Sequence, residues 1–305
     1  MKVNVKTVML MVALMCVFMW LFGNALSDQY FLTQWLEWMP TLFVFVLLAF
    51  ISAVLAWMRA WKHIMLPASL CIAVGLWYSM YENKLFVSCS ESGALRIAAW
   101  TMSHPKDEFA TESAEFIVNL NADITLLSHG WTVRGKPQIT DWLGTNGKKL
   151  VRFPFTVLTK LPPIEIKPLI ASNSIHIVSF TLDTTEKIGK PVVLWAVDFP
   201  SSFSRSRYDV ALVSKRLLQE IEWNPPDIVA GDFNMTTDSA AIRYLFPQLR
   251  DASHLGGCGV MASYPRYFPI YLIDHFLVSD EIDVASYKLI NPLSGRHRVQ
   301  LMEIN

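Results

Sequence analysis

The chain has 305 residues, 52% of them hydrophobic and 17% charged, with 26 Lys/Arg against 26 Asp/Glu. So apolar a composition excludes an ordinary soluble globule, and a net charge of zero argues against a non-specific nucleic-acid binder, which needs a basic excess. The apolar excess lies before residue 83, which leaves 22 basic and 23 acidic residues for a nearly neutral globular part, long enough to bury a full core.

Residues 1–82 read as a membrane anchor with about three transmembrane helices, over roughly 7–26, 40–58 and 63–80. Each stretch approaches the roughly 20 residues that cross a bilayer as a helix, and none has a charged residue in its interior. Trp20, Trp35, Trp38, Trp57, Trp61, Trp77 and Tyr78 gather near the ends, where amphipathic rings favour the headgroup level. Lys2 and Lys6 precede the first stretch, and Arg59, Lys62 and His63 separate the second from the third. The loop between the first two carries Asp28 and Glu37 and no Lys or Arg. The excess of Lys/Arg in cytoplasmic loops then places the N-terminus and 59–63 in the cytoplasm and everything after Glu82 on the opposite side. In a bacterium this is an inner-membrane protein with a periplasmic C-terminal domain. Reading the start as a leader cleaved near Ala25-x-Ser27 leaves two crossings and the same side. Cys16 and Cys71 fall within membrane segments as packing residues. Cys89 and Cys258 lie outside them, where an oxidising compartment permits a bridge that two cysteines alone do not decide.

A linker over 83–93 leads into a domain over 94–305. Alternation predicts a strand from Leu95 to Trp100; a helix follows, with Pro105 near its start and Phe109, Ala114, Phe116, Ile117 and Leu120 on its apolar side. Strands are expected at Asp123–Ser128, Phe155–Thr159, Ser174–Leu182 and Pro191–Asp198. A helix is expected over Arg207–Trp223, a strand at 227–230, a short helix at Ser239–Leu245, and strands near Tyr271–Val278 and Asp283–Leu289. Strands dominate and helices enter at separated points, which suits an α+β fold of two packed sheets flanked by helices.

The most informative segment is Ile228-Val-Ala-Gly-Asp-Phe-Asn234. Alternate side chains of an extended strand point the same way, so Asp232 and Asn234 project together from a strand end. That pair suits a scissile phosphate and a hard cation; it equally suits an Asx-rich turn. Two further segments follow, Ile273-Asp274-His275-Phe-Leu-Val-Ser279 and Ser294-Gly-Arg-His297-Arg-Val299.

Together with Leu95–Trp100, Ala122–Leu127 and Thr159-Lys-Leu-Pro162, these segments resemble the endonuclease/exonuclease/phosphatase superfamily from about Leu95 to the C-terminus. That superfamily includes deoxyribonuclease I-like nucleases, abasic-site endonucleases, inositol polyphosphate phosphatases and neutral sphingomyelinases. The resemblance implies a four-layer α/β sandwich, and hydrolysis of a phosphate ester by an activated water with a divalent metal, usually magnesium. On it, His297 is the general base or transition-state stabiliser and Asp274 orients its imidazole. Asp232 and Asn234 contact the attacking water and the phosphate, and Arg296, Asp198 and His275 bind substrate.

Four positions depart from the family pattern. Thr101 stands where Asn is usual, Ser128-His129 where Gln-Glu supplies the main metal ligand, Asp198 where a His is usual, and Arg296 where Asp aids the metal. Magnesium prefers oxygen ligands, so its binding is weakened. In one reading Arg296 supplies the missing positive charge. In another, manganese or zinc is held by His129 with Asp232 or Asp198. In a third, the site has decayed. The implied function is thus a membrane-tethered phosphodiesterase or phosphatase acting on a lipid or small phosphoester outside the cytoplasm. The alternative is a catalytically inactive member serving as a binding or scaffold subunit beside a membrane-protein partner. The partners implied are the lipid bilayer and a phosphoester ligand; bulk nucleic acid is not among them.

Overall fold

The structure, a computed structural model, describes residues 4–89, 93–102, 107–172, 174–292 and 294–305. Pro105 and part of the expected linker, 90–92, lie outside the described residues.

The apolar N-terminal stretch folds into helices α1 (Val5–Leu26), α2 (Phe31–Glu37), α3 (Thr41–Trp57) and α4 (Trp61–Trp77), the last extended by a π-helical turn to Glu82. A helix satisfies its own backbone groups, which hydrocarbon cannot do for it. Val5–Gln29 and Trp61–Glu82 are each long and apolar enough to cross a membrane. The second expected crossing differs. Helix α3 has 17 residues and forms a longer apolar unit only with α2, across a 59° bend. The anchor therefore has two clear spans, and a third if this bent pair counts as one. Ala13, Cys16, Val17 and Trp20 of α1 pack with Val44, Leu48, Ile51 and Leu55 of α3 and with Val74 of α4.

The ends of these helices tell which way they run. Trp20 Nε1 donates to Thr41 Oγ1 at 3.0 Å, and the Thr41 hydroxyl also bonds the Glu82 carboxylate. The C-terminal ends of α1 and α4 thus meet the N-terminal end of α3. Lys6, Arg59 and Lys62 lie at the opposite ends of those helices, about 25–30 Å away at 1.5 Å rise per residue.

Among the described residues, the rest of the chain forms twelve strands. These are β1 (Leu95–Thr101), β2 (Ile124–Ser128), β3 (Lys148–Arg152), β4 (Phe155–Thr159), β5 (Pro163–Ser172) and β6 (Ile175–Leu182), then β7 (Val192–Asp198), β8 (Ile228–Asp232), β9 (Arg250–Asp251), β10 (Asp274–Val278), β11 (Val284–Ile290) and β12 (Val299–Ile304). They make two six-stranded sheets, ordered β11-β12-β1-β2-β4-β3 and β5-β6-β7-β8-β10-β9. Inward-facing residues of both, among them Ile97, Leu126, Phe180, Ala196, Ala230, Phe276 and Met302, form the central core. Helices α5 (Ala110–Leu120) and α6 (Pro137–Leu143) cover the outer face of the first sheet. After the short α7 (Thr185–Ile188), helices α8 (Arg207–Gln219) and α9 (Ala240–Leu245) cover that of the second. The result is the four-layer sandwich that the sequence predicts. The expected helix over Arg207–Trp223 stops at Gln219, ahead of Pro225 and Pro226.

The anchor is fastened to this domain by buried polar groups. Asp28, 1% exposed, accepts from Ala241 N at 3.0 Å and from the Ser239 hydroxyl. Ser27 Oγ accepts from Ala240 N at 3.0 Å and donates to Glu37 at 2.8 Å, and Thr236 donates to Glu37 at 2.7 Å. Gln34 accepts from Arg207 N at 2.8 Å. On the other flank, Asn83 accepts from Met261 N at 2.8 Å, Lys84 exchanges backbone bonds with Gly259, and Cys89 is disulfide-bonded to Cys258. Residues 83–89 are therefore docked on the domain.

Replacing Asp28 with Ala strands the buried Ser239 hydroxyl, while Ala241 N keeps the Ser239 oxygen as acceptor, at a cost of about 1–3 kcal/mol. The expected outcome is a lowered thermal midpoint for the full-length protein in detergent. An Asp28→Asn variant keeps one acceptor oxygen and is expected to lose less, which differential scanning fluorimetry can read.

Candidate active site

Inward-facing positions are apolar through the middle of the sandwich and turn polar at one end. Thr101, Ser128, His176, Asp198, Asp232 and Asp274 each continue the inward alternation of their strand. In the second sheet the register is complete: His176 pairs with Asp198, Asp198 with Asp232, and Asp232 with Asp274, across β6, β7, β8 and β10. Three carboxylates thus stand side by side on neighbouring strands. Gly231 makes the closest of these approaches feasible. Its φ is +139°, and a Cβ there would lie 2.0 Å from Val197 O, so no other residue fits.

Thr101, His176, Asp198 and Asp232 border a cleft of about 750 Å³, also lined by His129, Asn234, Tyr264, Arg296 and His297. His297 Nδ1 bonds Asp274 Oδ2 at 2.8 Å, and its Nε2 lies 4.0 Å from Asp232 Oδ2. Thr101 Oγ1 donates to Asp274 Oδ1 at 2.7 Å. The residue in the usual asparagine position thus orients the dyad carboxylate. Asn234, at a left-handed φ of 50°, donates its backbone N–H to Asp232 Oδ1 at 3.0 Å and its side-chain amide to Phe199 O at 2.9 Å. One amide hydrogen and the carbonyl oxygen remain for a ligand. The Tyr264 ring lies 5.0 Å from that of His297.

Charge follows from this packing. Burial opposes a charge on His297, but the Asp274 carboxylate and its hydrogen bond outweigh it and raise the imidazole to about 9. Burial pushes Asp232 up to about 8, reinforced by Asp274 and opposed by His297. Burial also disfavours the charged form of His176. Near neutral pH the centre of the cleft therefore holds an imidazolium beside a carboxyl group whose titration lies close to the working pH.

Sequence reading brings Asp232, Asn234, Asp274 and His297 to one place, and they are together. Asp198 and Arg296 also line the cleft, Arg296 at its exposed rim. One assignment needs correction. His275 does not reach the cleft: next to Asp274 in the strand, it points to the other face, is fully buried, and bonds Asp251 at 2.7 Å and Met235 O at 2.9 Å. Of the two carboxylates expected beside His129, the structure selects Asp198, bonded by Nε2 at 3.0 Å, over Asp232, because the turn after β2 lies over the end of β7. Among the cleft residues that escape the motif reading are His176, Tyr264, Tyr271 and Trp38. A lone histidine opening a strand was the signal for the first; the others lie on loops and on the anchor.

Asp232, Asp274 and His297 present ligand atoms all within 4.8 Å of one another, the one such group among the described residues. As metal ligands they fit poorly. Both oxygens of Asp274 are engaged, by Thr101 and His297, and Asp198 is engaged by His129. The uncommitted donors are Asp232 Oδ2 and His297 Nε2. Magnesium wants oxygen ligands in an octahedron, and a nitrogen-seeking ion needs His297 neutral, whereas Asp274 keeps it protonated.

No protein-family model and no curated protein matches the chain. Solved structures do. A protein of the endonuclease/exonuclease/phosphatase family from Leptotrichia buccalis superposes with a TM-score of 0.54 at 12% identity, over 69% of this chain and 99% of its own. A mannosyl-6-phosphatase from Bacteroides thetaiotaomicron gives 0.53 at 12% identity, over 69% and 99%. An endonuclease/exonuclease/phosphatase from Bacteroides vulgatus gives 0.52 at 17% identity, over 69% and 98%. The C-terminal domain therefore has the endonuclease/exonuclease/phosphatase fold.

If Asp274 sets the charge of His297, Asp274→Asn is expected to lower the His297 pKa by more than about one unit. Proton–nitrogen NMR of selectively labelled histidine measures it; an unchanged titration would contradict the assigned dyad.

Proposed function

From the shared fold and the geometry of its cleft, we infer that this chain is a membrane-anchored phosphoester hydrolase. A fold alone does not carry a reaction. The observation that carries it here is the convergence of Asp232, Asn234, Asp274 and His297 on one cleft. In this reading the substrate phosphate enters beside His297 and Arg296. Asp274 holds the imidazolium so that Nε2–H donates to a phosphoryl oxygen as negative charge grows there. Asp232, its pKa raised towards the working range, accepts the proton of a water that attacks phosphorus, while the ester P–O bond breaks and its electron pair leaves with the departing oxygen, which is protonated from solvent. Asn234 positions that water or a phosphoryl oxygen with its remaining amide groups. The positive charge comes from His297 and Arg296, so no step requires a divalent ion. His129 engages Asp198 by a hydrogen bond at 3.0 Å, leaving Asp232 the free base.

The anchor is read as spanning a membrane with the hydrolase domain outside the cytoplasm. Two features support this: Lys6, Arg59 and Lys62 lie at the helix ends remote from the domain, and the Cys89–Cys258 disulfide suits an oxidising compartment.

The test is hydrolysis of bis-p-nitrophenyl phosphate by full-length protein in detergent. His297→Ala and Asp232→Ala are each expected to lower turnover about 10²- to 10⁴-fold. Turnover is expected to survive a strong chelator, and its loss there would return the centre to metal chemistry. Asp232 must be deprotonated, which favours pH above about 8, and His297 must be protonated, which favours pH below about 9. The profile of kcat/KM is therefore expected to be a narrow bell centred between these values, which belong to the pair rather than to either residue. A profile flat from pH 6 to 10 would remove these roles.

A further inference from the structure

The cleft is not built by the globular domain alone. Trp38, just beyond α2 in the anchor, lines it together with Phe203 and Tyr271. The Trp38 ring lies 5.1 Å from Phe203 and 5.8 Å from Tyr271, whose hydroxyl donates to Trp38 O at 3.0 Å. The fully buried Arg207 stacks its guanidinium 5.3 Å from the same ring. From this wall an aromatic path leads outward. Trp35 stacks on Phe203 at 6.0 Å, and Phe31 meets Trp35 at 6.3 Å. Leu32 is 78% exposed, Trp35 50% and Phe203 55%, so a continuous apolar surface runs from solvent to the mouth of the site.

What covers this surface follows from its position in the chain. Helix α2 lies between α1 and α3, whose ends are joined by the Trp20–Thr41 bond. A short helix so placed, with Trp, Phe and Leu exposed, belongs at the headgroup level of the bilayer that α1 crosses. Asp28 and Gln34 hold it rigidly against α8 and α9. The mouth of the cleft therefore opens at the membrane interface, not towards bulk solvent.

We propose that α2 and the Phe203 loop form a lipid entrance, and that the substrate is a bilayer lipid whose headgroup phosphoester reaches His297 and Asp232 while its apolar part stays along Trp38, Phe203 and Trp35. This rests on the hydrolase reading for the reaction, but the lipid seat is testable without it. A soluble phosphoester has no use for such a path. An amphiphile does, because it keeps its chains in an apolar environment while its phosphate is bound.

The experiment uses full-length protein reconstituted into vesicles of phosphatidylethanolamine and phosphatidylglycerol. The Phe203→p-benzoylphenylalanine variant is irradiated beside the same replacement at Glu281, a side chain 78% exposed on a domain loop. A lipid adduct at 203 well above that at 281 is expected. In parallel, Leu32→Ser/Trp35→Ser is expected to lower the ratio of kcat/KM on vesicle lipid to that on bis-p-nitrophenyl phosphate about tenfold or more, since binding at a remote group contributes to turnover. Equal labelling at 203 and 281, or an unchanged ratio, overturns the proposal in favour of a soluble substrate. Labelling at 203 with no turnover of either ester supports the lipid seat and overturns the hydrolase reading instead.

Discussion

Three aspartates stand in register on three adjacent strands, and the site is organised around that row. Neighbouring strands are about 4.8 Å apart. At this distance, and an effective dielectric of about 20, two full charges repel by roughly 3 kcal/mol. Both pairs of the row, Asp198 with Asp232 and Asp232 with Asp274, would carry that repulsion in a buried place. The fold relieves it from both ends. His129 hydrogen-bonds Asp198, and the His297 imidazolium pairs with Asp274. Asp232, between them, is raised to about 8 by burial and by the Asp274 charge. The row is thus divided into two carboxylates held by imidazoles and one titratable acid.

Against this row, the departures from the family pattern read as a connected set. With Asp198 in place of a histidine, a partner is needed, and His129 stands where a metal-binding glutamate would otherwise be. Thr101, in place of an asparagine, holds the second oxygen of Asp274. Arg296 adds a fixed cation at the rim. The exchanges at Thr101, His129 and Arg296 remove an oxygen ligand for a hard ion or add positive charge; Asp198 runs the other way, adding a carboxylate that His129 binds.

The anchor enters the same architecture as a wall. Asp28 and Ser27 bind the start of α9, and Thr236, in the loop leading from Asn234 towards that helix, binds Glu37. Membrane segment and active-site loop are thus one hydrogen-bonded unit. Trp38 closes one side of the cleft as a result, and the domain has a defined orientation relative to the helices instead of hanging from a flexible tether.

Much of this was legible in the sequence. Long charge-free apolar runs announce membrane helices because hydrocarbon tolerates nothing else, and alternation announces β1, β4, β6 and β7 because one face of each is core. Asp232, Asn234, Asp274 and His297 could be named because they lie at strand ends in recurring order. The edge strands β3 and β5 were not legible: Lys148, Lys149 and Arg152 in one, and Glu165, Pro163 and Pro168 in the other, suit an edge but erase the pattern of a strand. The face on which His275 falls was legible and overlooked, since strand neighbours point to opposite sides and Asp274 takes the cleft side. The pairing of His129 with Asp198, the service of Thr101 to Asp274, the Cys89–Cys258 bridge and the place of Trp38 against Tyr271 join residues 69 to 233 positions apart. The sequence by itself determined that an apolar anchor precedes a phosphoesterase-like sandwich with one imidazole–carboxylate pair. Only the tertiary structure decided which charges meet in the cleft, because that follows from strand register and from the docking of the anchor, neither of which is a local property of the chain.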